Sequence, residues 1–285
     1  MSIDTVFILS AGLGTRMGEI GKVLPKPMWP LFNQTLFSAT VEFWKSKGFK
    51  KFYANVHHGA DMMIKHMEEL GVTPLYEKEL LGSGGAFHNL KSQYPNLGMV
   101  LSVNCDNFPL SFNGGEFEKH LNTDVMALFS MPVKRGEKFN RLKIQSGELK
   151  DIEKIFEDDG VTYSGAGLID LDSIDLEVKN SSFFDSVANY KEKSIQVIDD
   201  IFDNFIDFGT IENYFKSKFD LIKNSDASSL IKSCKVETAP YIQGSNIIYS
   251  GCGIKETENS IIIDSNLDLE HINKSIVYKD IIEKI

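Results

Sequence analysis

The chain has 285 residues, 42% hydrophobic and 25% charged, with a formal net charge of −10. That is enough apolar material for one large α/β domain, alone or with an appendage. The acidic balance excludes a nucleic-acid or anionic-membrane surface as partner, and no apolar run approaches the roughly 18 residues of a membrane span.

Three scattered cysteines, Cys105, Cys234 and Cys252, fit a reducing compartment and argue against a disulfide framework or zinc cluster. The first residues carry no basic stretch and only a strand-length apolar run, so no signal peptide is expected and the cytoplasm is the expected location. If such an acidic protein binds phosphates, it must use local cations, backbone N–H groups or a metal.

In chain order, Val6 to Leu9 is a short apolar run closed by Ser10-Ala11-Gly12, which predicts a buried parallel strand entering a tight loop. Residues 12 to 30 are punctuated by glycines and prolines and predict a loop. Leu36 to Lys47 has helical spacing and stops at Gly48. Phe52 to Val56 predicts a strand, Asp61 to Leu70 a helix, Thr73 to Tyr76 a short strand, and Gly84 to Leu90 the opening of another helix. Met99 to Val103 is an apolar strand ending in Asn104-Cys105-Asp106, and Val125 to Met131 is another. This alternation predicts a Rossmann-like, mostly parallel mixed sheet flanked by helices, with ligands at the C-terminal strand ends.

Beyond Phe139, Arg141 to Glu148 and Leu149 to Glu153 predict short antiparallel strands, and Thr162 to Asp170 a strand containing Gly165 and Gly167. Ser182 to Lys191 and Thr210 to Leu221 predict helices, and Ile195 to Phe202 with Asn204 to Asp207 a hairpin. In the tail, Ile242, Ile248 and Ile254, then Ile261 and Leu267, then Ile272 and Tyr278, are spaced by six. Such spacing marks a left-handed β-helix of hexapeptide turns; a few irregular capping strands are the alternative. The domain boundaries expected are 1–225 for a catalytic domain and 226–285 for a C-terminal extension.

The loop reads Leu9-Ser10-Ala11-Gly12-Leu13-Gly14-Thr15-Arg16-Met17, followed by Leu24-Pro25-Lys26-Pro27. A dinucleotide fingerprint would need a glycine where Met17 stands, and a P-loop would need Gly-Lys-Ser/Thr, so neither fits. What remains still suits phosphate. Gly12 and Gly14 let backbone N–H groups approach oxygens, Arg16 can grip a phosphate through two N–H groups, and Lys26 brings a point charge between two prolines.

With Pro25-Lys26-Pro27, the stretch resembles the signature of the sugar-1-phosphate nucleotidyltransferases. Further matches follow in order: Leu81-Gly82-Ser83-Gly84-Gly85-Ala86 resembles the base-binding loop, Asn104-Cys105-Asp106 the Asn-Gly-Asp strand end, and Glu153-Lys154 the sugar-side pair. Ser164-Gly165-Ala166-Gly167 resembles the family's Asn/Ser-Gly strand, and Ile206-Asp207-Phe208-Gly209-Thr210 the segment before a helix. The likeness spans about residues 3 to 222. It is nearest the muramic acid 1-phosphate uridylyltransferases and the mannose- and heptose-phosphate guanylyltransferases, whose Asn-x-His Asn55-Val56-His57 also resembles.

The resemblance implies condensation of a nucleoside triphosphate with a sugar 1-phosphate to give a nucleotide sugar and pyrophosphate. Asp106 and Asp207 would hold Mg2+, with Arg16, Lys26 and Asp106 as the catalytic set. Leu9, Ala11, Gly12, Gly14, Thr15, Gly82, Ser83 and Gly84 would bind the nucleotide, and Glu153, Lys154 and Gly165 the sugar phosphate. Bland readings stand beside these: a cap or turn for Asp106 and Asp207, a solvated charge cluster for Lys154, ordinary loop histidines for His57 and His58. Cys105 departs from the family's glycine and adds a side chain beside the metal aspartate. Leu80 stands where some uridylyltransferases have a base-reading Gln, and Ala11 points by resemblance to a pyrimidine. Rival functions are a cytidylyltransferase acting on phosphocholine or a similar small phosphate, and a non-catalytic nucleotide-binding module. For the tail, the expected role is a cap or a homo-oligomer contact.

Overall fold

The computed structural model describes residues 3–31, 34–109, 112–202, 205–223, 241–243, 246–248, 257–258, 260–263 and 272–285. In chain order its elements are β1 (Thr5–Leu9), α1 (Gly18–Val23), β2 (Pro30–Leu31), β3 (Gln34–Thr35), α2 (Leu36–Ser46), β4 (Lys51–Val56), α3 (Ala60–Glu69), β5 (Thr73–Tyr76), α4 (Gly82–Gln93), β6 (Met99–Asn104) and β7 (Asn107–Pro109). There follow α5 (Gly114–His120), β8 (Ala127–Val133), β9 (Arg141–Gln145), β10 (Glu148–Glu153), β11 (Gly160–Asp170), α6 (Phe183–Ser186), β12 (Gln196–Ile198), β13 (Phe205–Asp207) and α7 (Ile211–Lys223). The tail carries β14 (Tyr241–Gln243), β15 (Asn246–Ile248), β16 (Thr257–Glu258), β17 (Ile261–Ile263), β18 (Ile272–Asn273), β19 (Ser275–Tyr278) and β20 (Ile281–Lys284). These elements divide between two units, Met1–Gly12 with Lys47–Ile206 and Leu13–Ser46 with Asp207–Ile285.

In the first unit, Val6, Phe7 and Ile8 are wholly buried, as expected of a strand flanked on both sides in a parallel sheet. β1 pairs in parallel with β4 on one side and β6 on the other. The full sheet runs β5-β4-β1-β6-β11-β8-β12-β10-β9. Only β10 and β11 run against the other strands. After β5 the chain returns through α4 and lays β6 on the far side of β1, so the strand order reverses between β1 and β6. A crevice opens at such a reversal, beyond the C-terminal strand ends. There Leu9 stands opposite Asn104, and the Cys105 N–H donates to the Leu9 carbonyl at 3.2 Å.

Helix α4 buries Ala86, Phe87 and Leu90, and Phe87 meets Phe7 edge-on at 5.0 Å. The antiparallel pair β9–β10 turns at Ser146-Gly147, both with positive φ.

Three expectations change. The helix expected from Ser182 to Lys191 is one turn, Phe183–Ser186. Its aromatic residues are drawn into the core, where Phe183 stacks on Tyr163. The segment expected as a hairpin is none: β12 adds in parallel to β8, and β13 pairs with β7. Two neighbouring short strands there serve different sheets, which local alternation does not distinguish. The loop expected over residues 12 to 30 contains the short helix α1.

In the second unit the tail forms a five-stranded sheet, β14-β15-β17-β19-β20. β15, β17 and β19 stack in parallel, with Ile247 beside Ile261 and Ile261 beside Ile276; β16 and β18 repeat the pattern through Thr257 and Ile272. Successive rungs are thus 14 and 15 residues apart. Ile242 and Ile248, a six-residue pair, instead lie on the two strands of an antiparallel hairpin. Ile254 and Leu267 lie outside the described residues.

Candidate active site

The first unit carries Leu9, Ala11 and Gly12 at the end of β1. Leu9 is half-buried and Ala11 buried, whereas Gly12 is exposed and a Cβ placed there meets no described atom within 4 Å. Packing therefore does not demand glycine at this position. Asn104, Cys105 and Asp106 follow β6. Cys105 is buried, so its side chain is withdrawn from solvent. Asp106 is half-buried. Gly165 has a φ of +83 at an irregularity of the β11–β8 ladder, and a Cβ there would stand 2.7 Å from Asn104 Nδ2. The glycine is needed both for the backbone turn and for the close approach of Asn104. Asn107 Nδ2 donates to the Ser164 carbonyl at 3.2 Å, tying the aspartate's strand end to the same bulge.

The glycines of the Leu81 turn behave differently. Gly82 has a φ of +70, and a Cβ on it, on Gly84 or on Gly85 would come within 2.6, 2.3 and 2.2 Å of the segment 179–186. That segment is laced to the turn: Ser181 N–H donates to the Leu81 carbonyl, Gly84 N–H to the Ser181 carbonyl, and Phe183 N–H to Ser83 Oγ. Their bare backbones are used to seat a protein strap.

Glu153 closes β10 and Lys154 follows it, exposed. Glu153 Oε2 accepts from Arg141 Nε at 2.7 Å and Nη2 at 2.5 Å, so its carboxylate is already engaged across the hairpin.

A buried polar chain joins the strand ends. Asn55 Oδ1 accepts from the Ser10 N–H at 2.7 Å, and its Nδ2 donates to Glu77 Oε1 at 2.8 Å. Glu77 Oε2 accepts from the Leu81 N–H at 3.0 Å, and His57 Nδ1 lies 2.9 Å from the Glu77 carbonyl. Burial pushes the Glu77 carboxyl above its usual range, while the Leu81 N–H, the Asn55 amide and His57 pull the other way. Sequence reasoning passes over Ser10 and Glu77. The legible signal is a glutamate directly after a short strand, at the sheet end where ligand loops gather.

The second unit carries Gly14, Thr15, Arg16, Lys26 and Asp207. Gly14 has a φ of +64, and Met17 N–H donates to its carbonyl at 2.8 Å. A Cβ on Gly21 would stand 2.6 Å from that carbonyl, so the loop folds tightly back on α1. Thr15 and Arg16 are left exposed at its crest. Lys26 is half-buried and opens a short 3-10 turn held by Trp29 N–H on the Lys26 carbonyl at 3.0 Å.

Trp29 is buried, donates through Nε1 to the Leu24 carbonyl, and meets Tyr214 of α7 edge-on at 4.7 Å. Tyr214 in turn donates to the Pro30 carbonyl at 2.7 Å and packs on Phe208. One aromatic group therefore fixes both the Lys26 turn and the segment after Asp207. Asp207 Oδ1 accepts from Gly209 N–H at 2.6 Å and Oδ2 from Asn213 Nδ2 at 2.8 Å. From the tail, the Glu283 carboxylate accepts from the Glu19 N–H and sits 2.5 Å from where a Gly18 Cβ would be. Among the described residues no group of three or more His, Cys, Asp or Glu side chains could hold a metal ion.

No family model matches the chain. The D-glycero-alpha-D-manno-heptose 1-phosphate guanylyltransferase of Campylobacter jejuni is 28% identical over 216 residues, covering 73% of this chain and 96% of that one. Among solved structures, HddC from Yersinia pseudotuberculosis complexed with GMP-PN matches with a TM-score of 0.62 at 23% identity, over 76% of this chain and 98% of that chain. The CTP:phosphocholine cytidylyltransferase LicC from Streptococcus pneumoniae matches at 0.61 with 18% identity, over 78% and 100%. In sequence the chain is thus similar to a heptose 1-phosphate guanylyltransferase, and in fold to HddC and LicC.

Proposed function

We propose that the protein condenses a nucleoside triphosphate with a sugar 1-phosphate, giving a nucleotide sugar and pyrophosphate. The observation that carries this reading is the likeness to a heptose 1-phosphate guanylyltransferase over 96% of that protein. An oxygen of the sugar phosphate forms a bond to the α-phosphorus as the α–β bridging bond breaks, and pyrophosphate leaves with the bonding pair. The attacking phosphate monoester is largely a dianion near neutrality, with a second pKa of about 6, so no general base is needed. The barrier is the meeting of two anions, and catalysis is positioning plus charge neutralisation.

Lys26 would neutralise the α-phosphate and the incoming phosphate, and Arg16 the departing pyrophosphate. Leu9, Ala11, Gly12, Gly14, Thr15, Gly82, Ser83 and Gly84 would hold the nucleotide, and Glu153, Lys154 and Gly165 the sugar phosphate. Asp106 and Asp207 would hold Mg2+. Carboxylate oxygens suit that hard ion, and each Asp207 oxygen, accepting one hydrogen bond, keeps a further lone pair. Bound Mg2+ would spread the phosphate charge.

The catalytic domain would span 1–225, with 226–285 as a cap or subunit contact, and the cytoplasm would supply the triphosphate. GTP with a heptose or hexose 1-phosphate is the first pair to test, because the relative matched over most of its length is a guanylyltransferase; Ala11 points instead to a pyrimidine. Pyrophosphate release with Mg2+ should be measured for four NTPs against a panel of sugar 1-phosphates and phosphocholine. Release requiring one NTP, one sugar phosphate and Lys26 is the expected result. Release with phosphocholine alone moves the function to a cytidylyltransferase-like one, and NTP binding without release to a non-catalytic module.

A further inference from the structure

Among the described residues, Glu77 is the one buried carboxylate, with 2% of its surface exposed. A charge in that position is costly unless paired and hydrogen-bonded. An apolar residue of the same volume would serve a purely packing role. What Glu77 does instead is bridge: Oε1 takes the Asn55 amide and Oε2 the Leu81 N–H, 2.8 and 3.0 Å away. Asn55 continues the bridge to Ser10, whose N–H it accepts at 2.7 Å and whose hydroxyl donates to the Asn55 carbonyl at 2.5 Å. The Glu77 backbone joins too, N–H to the Val56 carbonyl and carbonyl to His57.

The bridge thus begins beside Ala11-Gly12, crosses the ends of β1, β4 and β5, and finishes at the turn into α4. Ser10 follows β1 and Leu81 precedes α4, and Asn55 and Glu77, from the ends of β4 and β5, supply the side chains that link them.

We infer that Glu77 is a positioning residue for the nucleoside triphosphate, setting the distance between the Ser10-Ala11-Gly12 strand end and the Leu81-Gly82-Ser83-Gly84 turn. The inference rests on the proposed function, in which both segments hold the nucleotide. It assigns Glu77 no contact with the acceptor and none with the reacting atoms. Glu77→Gln keeps the volume and one accepting oxygen but turns an amide N–H2 toward one of the two N–H donors. The clasp then loses one hydrogen bond to a charged group, a loss on the order of tenfold in an equilibrium constant.

The expected result is an NTP KM, and a Kd for the Mg-NTP measured by titration, raised about tenfold. The acceptor KM, and kcat at saturating NTP, should stay near wild type. Glu77→Met, which fills the space without any acceptor, should raise both NTP constants further while leaving the thermal midpoint within a few degrees. Either variant folded, with wild-type NTP constants, overturns the inference. So does an equal rise in both substrates' KM, or a failure of both variants to fold, which would make Glu77 a residue of the fold alone. If the wild-type protein itself neither binds nor consumes any NTP, the proposed function falls and this inference with it. Wild-type turnover with unchanged variants removes only the inference.

Discussion

Two glycine-rich segments, each expected to wrap a nucleotide, use their missing side chains differently. At Gly12 nothing described comes within 4 Å of the position a Cβ would take. At Gly82, Gly84 and Gly85 the vacancy is filled by the segment 179–186. A glycine motif therefore has two meanings: room kept for something outside the chain, and room taken by another part of the chain. Only coordinates separate them, because both spell the same letters.

The predictions that test the contrast run from large to small. Lys26→Ala should lower pyrophosphate release by about 10² to 10³; release within threefold of wild type would remove the charge role given to Lys26. Gly85→Ala should act on stability. Alanine is favoured in a helix by about 1 kcal/mol, but its Cβ would lie 2.2 Å from the Lys179 carbonyl oxygen. Backbone overlap cannot relax by a rotamer change, and overpacking costs about 1–3 kcal/mol. A lowered midpoint in a melting curve is the expected net result, and a raised one would mean that the strap is loosely seated.

Gly12→Ala should do the reverse, keeping stability within about 0.5 kcal/mol while raising the NTP KM several-fold. A loss of stability comparable to that of Gly85→Ala would erase the distinction between the two segments.

The smallest effect concerns the closed segment's helix. His88 of α4 is 2% exposed. Its Nδ1 accepts from the Glu177 N–H at 3.2 Å, and its Nε2 has no hydrogen-bond partner among the described residues. Burial holds its pKa below the ordinary 6.5, with the Glu177 charge opposing. The unfolded chain thus takes up this proton first as the pH falls. Stability should decline as pH drops through 6.5 toward the folded value, and be fully kept above it. His66, also lowered by burial, acts in the same sense, so the measurement is a difference. Denaturation of wild type and His88→Leu at about pH 7.5 and about pH 5.5 should show the smaller pH dependence in the variant; equal slopes would remove His88 from the account.

Much of the sheet was legible because apolar runs of strand length end in glycine or polar turns, as at Val6 to Gly12 and Met99 to Asp106. The partner of each short strand was not. Gln196–Ile198 and Phe205–Asp207 look alike locally, yet β12 joins the main sheet and β13 joins β7, a choice made by tertiary pairing. In the tail, isoleucines six apart suggested one repeat, whereas the rungs that stack are set by register between strands. Ser182 to Lys191 read as a helix, but the helix stops after one turn, with Phe183 packed into the core. In the candidate site, residue types that chemistry demands stood out, namely Arg16, Lys26, Asp106 and Asp207. The groups that hold others in place did not. Glu77 matters through Asn55, Ser10 and Leu81, and three strands must be laid side by side before those residues meet.

The Glu283 carboxylate on the Glu19 N–H joins positions 264 residues apart. During vectorial synthesis, at about 5–20 residues per second, the segment of Glu19 leaves the ribosome well before that of Glu283, and this contact must wait until β20 has emerged. The loop carrying Arg16 is thus made long before it gains this tie from the tail. A ribosome stalled between the two segments would display that loop still missing one of its anchors.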